Sequence, residues 1–175
     1  MPPVYCTIDS VSMQHLCRPA VVTRTTKRRT TEKLGIEIIS SALHNNDLII
    51  CLDDNLSIPD EWIKTCGMDI ITPILSHWFE SGRVMKVICE KYTIPVKLNA
   101  ELKKYQFKDS GDRLIVRLGL ASGNPSFYIA TNDSDFWNPL DKKMAGKPSA
   151  PIATALRVHG VYSTQLKEFF NMIPL

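Results

Sequence analysis

FYIATNDSDFW, residues 127–137, is the stretch on which the reading of the chain turns. An apolar run from Phe127 to Thr131 breaks off into two aspartates one residue apart, Asp133 and Asp135, followed by Phe136 and Trp137. A short apolar run bounded by turn formers reads as a buried strand. Two earlier runs end the same way: Val4 to Ile8 stops at Asp9, and Leu48 to Leu52 stops at Asp53-Asp54.

Amphipathic segments lie between these runs. Met13, His15 and Leu16 mark a short helix, and Leu34, Ile38, Ile39, Ala42 and Leu43 recur at helical spacing until Asn45-Asn46. Ser57-Ile58-Pro59-Asp60 reads as a helix entry with serine as the N-cap, and Thr72-Pro73 as a second entry. Residues 83–98 fit strand and helix equally. Asn99 is expected to cap a helix reaching Phe107, and KDSGD, 108–112, to turn. Leu114, Ile115, Leu118 and Ala121 then form a buried face closed by Gly123-Asn124-Pro125. Pro139 to Pro151 reads as a loop, Arg157 to Val161 as the last strand and Ser163 to Asn171 as the last helix. Short strands alternating with helices predict a three-layer α/β/α domain with a central, mostly parallel sheet, one domain spanning residues 1–175.

Composition narrows the function classes. Twenty-one basic against 18 acidic residues, net +3, is a mixed surface, so nucleic-acid binding would have to come from local clustering. The five cysteines, at 6, 17, 51, 66 and 89, are odd in number and lie mostly in apolar runs, which predicts reduced thiols in a cytoplasmic protein. No apolar run approaches the length of a membrane span, and MPPVYCTID lacks the charge pattern of a signal peptide, so a soluble protein without a membrane partner is expected. The four histidines form no zinc-ligand pattern, and no glycine-rich phosphate loop is present.

In a parallel sheet ligands bind beyond the carboxyl ends of the strands, and that is where Asp9, Asp53, Asp133 and Asp135 fall. Asp112, at a helix entry, points to the same edge. One aspartate at a strand end is ordinarily a turn former or cap. Several together raise one another's pKa, a conflict that a hard divalent cation such as Mg²⁺ or Mn²⁺ removes. The DxD doublet alone is weak, since other metal-dependent transferases use it too.

The order strand-IDS, then GDRLIVRLGLA, then strand-TNDSDF resembles the PIN-domain nucleases, the family that includes the toxins of many toxin-antitoxin pairs. The resemblance spans nearly the whole chain, and VYSTQLKEFF is similar to the family's closing strand and helix. It implies a Mg²⁺- or Mn²⁺-dependent endoribonuclease in which an acidic cluster positions and activates water against a phosphodiester. Carried over residue by residue, it implies Asp9, Asp112 and the Asp133/Asp135 pair as ligands, the choice within the pair staying open because TNDSDF is one residue tighter than the toxin form. LDDNLSIPDEW nominates Glu61 as the remaining acid, with Asp53 in reserve and Glu32 and Glu37 still open. RNA is the implied substrate ahead of DNA, with an inhibitory antitoxin-like protein and a homo-oligomer as further implied partners. The rival readings are a non-catalytic RNA- or protein-binding module and a different metal-dependent phosphoryl hydrolase, such as a phosphatase. Trp62, Trp78 and Trp137 read as core or core-edge residues, with stacking on a base as the secondary reading for Trp137, which follows the acids.

RTTKRRTTEK, 24–33, places Lys27, Arg28 and Arg29 among hydroxyls, suited either to phosphate contacts or to a solvated face. If these three contact phosphate, replacing them with alanine weakens RNA binding for all sequences alike and flattens the plot of log affinity against log salt. An unchanged slope assigns the segment to the solvated surface.

Overall fold

The computed structural model describes residues 2–17, 36–45, 48–140 and 150–173. The basic segment with Lys27, Arg28 and Arg29, together with Glu32 and most of the 139–151 loop, lies outside them.

Among the described residues five strands form one sheet: β1 (Val4–Ile8), β2 (Leu48–Asp53), β3 (Val84–Val87), β4 (Phe127–Ala130) and β5 (Val161–Thr164). Their order is β3-β2-β1-β4-β5, and every neighbouring pair is parallel. The helices are α1 (Ser10–Cys17), α2 over residues 36–44, α3 (Ser57–Cys66), α4 (Met68–Glu80), α5 (Val96–Lys104), α6 (Ser110–Ala121), α7 (Pro151–Arg157) and α8 (Leu166–Met172). Parallel neighbours require crossovers, and right-handed crossovers that run first outward from β1 to β3 and then back to β4 and β5 cover both faces of the sheet. The result is a three-layer α/β/α architecture, as the alternation of strands and helices predicted.

The chain's direction of travel through the sheet reverses between β1 and β4, and it is beyond the carboxyl ends of strands at such a switch point that parallel sheets place their ligand crevices. Ile8 pairs with Ala130 there, and the Asp9 N–H donates to the Ala130 carbonyl at 3.1 Å. Asp9 and the 131–135 segment therefore meet at the switch point. Carrying the β1–β2 register forward sets Asp9 beside Asp53 as well.

Two tryptophans hold the first helical layer. Trp62, fully buried on α3, donates its Nε1–H to the Ile8 carbonyl at 3.1 Å and meets Trp78 of α4 edge-on at 6.2 Å. Trp78 in turn donates to Ser40 Oγ of α2 at 3.0 Å. Trp137 is also buried, at 3% exposure, so it is a core residue and offers no face to a base. On the opposite layer α6 lies close to β4 and β5. A Cβ at Gly119 would stand 2.8 Å from Phe127 Cδ1 and 3.1 Å from Val161 Cγ2, which explains why this helix carries glycine mid-length despite its low helix propensity.

Several boundaries differ from the sequence reading. Ser57 is the first residue of α3 rather than its cap; Leu56 precedes it in the left-handed region at φ 60°. Thr72-Pro73 lies inside α4, which starts at Met68 after Gly67. Asn99 lies within α5, where its Oδ1 accepts from Arg113. The last strand is Val161–Thr164, because Pro151 at the first helical position opens α7 and that helix takes up Arg157. No helix among the described residues is long and apolar enough to cross a membrane.

Gly119→Val should destabilise the fold by about 1–3 kcal/mol, since the added atoms overpack against Phe127 and Val161. Urea denaturation reads this directly. An unchanged midpoint would mean that α6 does not rest on β4 and β5 as described.

Candidate functional site

The acids gather at the carboxyl edge of the sheet, and each is held there by a distinct local device. Asp9 ends β1 and is 2% exposed. Its Oδ2 accepts from the Thr131 hydroxyl at 3.1 Å and from the Ser12 N–H at 3.3 Å. Thr131 Oγ1 also accepts from the Asp133 N–H at 3.0 Å, so one hydroxyl links the first acid to the backbone of the second. Asp133 then caps the short 3₁₀ turn Ser134–Phe136, its Oδ1 accepting from the Asp135 N–H at 2.9 Å. Asn132 completes the frame: its N–H donates to Ser12 Oγ at 2.7 Å and its Oδ1 accepts from the Leu166 N–H at 3.3 Å.

Asp112 arrives from the other layer. Asp109, not Asp112, is the N-cap of α6, its Oδ1 accepting from the N–H groups of Gly111 at 2.8 Å and Asp112 at 3.2 Å. Asp112 is thereby the third helical residue, and its carboxylate has no hydrogen-bond donor among the described residues. The spacing D-S-G-D resembles a capping box and is the sequence signal that separates the two roles.

Electrostatics show which acids share the space. Burial pushes the Asp112 carboxyl up to about 8, helped by the charges of Asp133, Asp9, Asp109 and Asp135 in that order. Burial also raises Asp9 to about 6, with Asp133 adding to it and the Thr131 and Ser12 hydrogen bonds opposing. Asp9, Asp112 and Asp133 thus form the centre of the cluster, with Asp135 beside it. Asp109, exposed and absent from the sequence reading as a site residue, extends it toward Glu61.

Glu61, on α3, stands on the far side of Asp109. Its carboxylate leans on the bare Cα of Gly111, where a Cβ would meet Oε1 at 2.8 Å and Oε2 at 3.1 Å. Its pKa is raised by burial and then by Asp109, with Lys64 opposing. Asp53, the reserve acid, has a structural occupation. It is 2% exposed, and its two oxygens accept from the Ser57 N–H at 2.8 Å and the Ile58 N–H at 2.9 Å, supplying the helix cap that Leu56 lacks. Of the remaining candidates Glu37 is exposed on α2.

The donor set is all carboxylate oxygen, in excess, and among the described residues no basic side chain figures in the leading influences on Asp9 or Asp112. That chemistry suits a hard divalent cation. As the side chains stand, however, no three His, Cys, Asp or Glu groups among the described residues converge closely enough to hold one ion. The two facts are compatible for Mg²⁺, which retains several waters and takes only one or two carboxylates directly, the others acting through water. No family model matches the chain, and neither a curated protein nor a solved structure does.

The raised carboxyls fix the pH dependence of stability. An acid whose folded pKa exceeds its unfolded value holds its proton more tightly when folded, so without a cation stability is greatest below the unfolded pKa and falls as pH rises through the folded value. For Asp112 the decline runs from about pH 4 to about 8, and for Asp9 it ends near 6. Melting temperature in EDTA should therefore fall between pH 5 and pH 8 in the wild type. Asp112→Asn should flatten most of that fall; equal slopes would place Asp112 outside the cluster.

Proposed function

We propose that the chain is a metal-dependent nuclease acting on RNA, with Mg²⁺ or Mn²⁺ held at the edge of the sheet by Asp9, Asp112 and Asp133, and with Asp135 and Glu61 flanking them. The observation that carries this reading is Asp112: a carboxyl pushed up to about 8 by burial and four neighbouring acids, with no hydrogen-bond donor beside it among the described residues. A fold retains such a group at a cost in stability, and perturbed titration in a strand-end crevice points to a functional site. A divalent cation bound there would screen the phosphate's negative charge and lower the pKa of water.

The chain's own residues supply position. Thr131 and Ser12 fix the Asp9 carboxylate, and the Asp133 cap fixes the turn that carries Asp135. Asp109 holds the first turn of α6, aiming Asp112 at the same crevice. The order of acids along the chain, similar to that of the PIN-domain nucleases, favours phosphodiester hydrolysis over monoester hydrolysis. A toxin-like activity further implies an inhibitory protein partner that covers the acidic edge. A non-catalytic binding module is the second reading, favoured by the absence, among the described residues, of three converged ligand side chains.

Cleavage of a fluorescent single-stranded RNA in Mg²⁺, Mn²⁺ or EDTA tests the reading. Internal fragments should appear with either metal and vanish in EDTA, whereas release of inorganic phosphate alone would indicate a phosphatase and no turnover would favour the binding module. Asp112→Asn and Asp9→Asn should each lower the rate by roughly a hundredfold or more. Mn²⁺ at about a hundred times its Kd should stabilise the wild type by about 2.7 kcal/mol. Asp112→Asn should lose most of that gain while folding normally; full retention of both rate and gain would remove Asp112 from the site.

A further inference from the structure

Beside the acidic edge, the first turns of α6 also border an open cleft of about 310 Å³. Ser110, Arg113 and Arg117 line it from α6, Lys108 from the preceding link, and Tyr92 and Thr93 from the segment after β3. Positions 110, 113 and 117 form one stripe along a helix, while Asp112 is turned about 100° from Arg113. One helix end thus presents an acid to the crevice and a row of cations to the cleft.

Among the described residues these cations form no ion pair with a carboxylate. Among the described residues the ion pair formed is Lys104–Glu101, so Lys108, Arg113 and Arg117 are each without an acidic partner. Two are nevertheless held in place by neutral acceptors. Arg113 donates to the Phe107 carbonyl at 3.3 Å and to Asn99 Oδ1. Arg117 donates to the Glu90 carbonyl at 2.8 Å, and its buried Nε–H has no partner. Fixed guanidinium groups with unspent positive charge, a lysine and two hydroxyls make a site for phosphate oxygens. The volume is at the lower end of small-ligand sites, the scale of a single nucleotide unit, and the exposed Tyr92 ring offers a surface for a base.

We infer that this cleft binds one nucleotide of a single-stranded nucleic acid, its phosphate on Lys108, Arg113 and Arg117, and so leads the strand across the first turn of α6 to the acids. The identification of that strand as the substrate rests on the nuclease reading above; binding itself does not. The experiment is therefore run without turnover, by fluorescence anisotropy in EDTA, using a labelled oligouridylate of roughly ten nucleotides and a salt titration. Lys108→Ala and Arg117→Ala should each weaken binding severalfold and lower the slope of log affinity against log salt by about 0.7. Tyr92→Ala should weaken binding with the slope unchanged. Lys103→Ala, outside the cleft on α5, should leave both as in the wild type, and melting temperatures confirm folding.

Wild-type affinity and slope in both Lys108→Ala and Arg117→Ala would overturn the inference, as would failure of the wild type to bind the oligomer at low salt. Competition by inorganic phosphate at concentrations no higher than those of the oligomer would also overturn it, identifying a free-phosphate site. A cleft that binds in a protein that never cleaves would sustain this inference and defeat the nuclease reading. Cleavage by the wild type with indifferent cleft variants would do the reverse.

Discussion

The Thr131 hydroxyl is the joint on which the acidic edge is built. It donates to Asp9 Oδ2 and accepts from the Asp133 N–H, so a single side chain ties the end of β1 to the turn after β4. The tie requires those strands to be neighbours, which the β3-β2-β1-β4-β5 order provides, and it requires Thr131 to be fully buried, where its hydrogen bonds are strong and hard to exchange for water. The turn that follows β4 takes its position from this pair. Asp133 sets the 3₁₀ turn, Phe136 on that turn packs edge-on against Phe107 at 5.3 Å, and Phe107 leads into α6 and Asp112.

The fold was legible because its strands are buried and short and its helices amphipathic, a difference in period that survives errors at the ends. The ends were misread where chemistry distant in sequence won over local chemistry. Ser57-Ile58-Pro59 carries every local mark of a serine cap, yet Asp53, arriving from the strand, takes that role. Thr72-Pro73 looked like a helix start, but the turn that precedes it is already helical and packs through the buried Ile71. Among the acids gathered at this edge, Asp9, Asp112 and Asp133 were readable as neighbours from strand ends and a helix entry. Asp109 was not, since a cap and a site acid share one short motif, and only the path of α3 past Gly111 brings Glu61 to it.

Stability and chemistry pull in opposite directions at this edge. Burial and like charge hold Asp112 and Asp9 partly protonated near neutrality, a state that favours the fold but offers fewer anionic oxygens. A cation reverses the preference by making the ionised forms the stable ones, so metal binding would release protons. The basic cleft across the same helix turn carries the complementary charge on another face of α6, and its cations are not among the leading influences on Asp112.

The short link into α6 has a further consequence. Phe107 is buried against Phe136 and Asp109 is the helix cap, which leaves only Lys108 between two fixed points. Surface connections ordinarily tolerate insertions and deletions. Here one residue gained or lost must be absorbed in that link or else slip α6 by one position, a rotation of about 100° and a shift of about 1.5 Å. Such a slip would carry Asp112 away from the acids and put a neighbour in its place, with every side chain still present in the sequence. The chain's length between Phe107 and Ser110 is therefore as much a determinant of the candidate site as the identity of any acid in it.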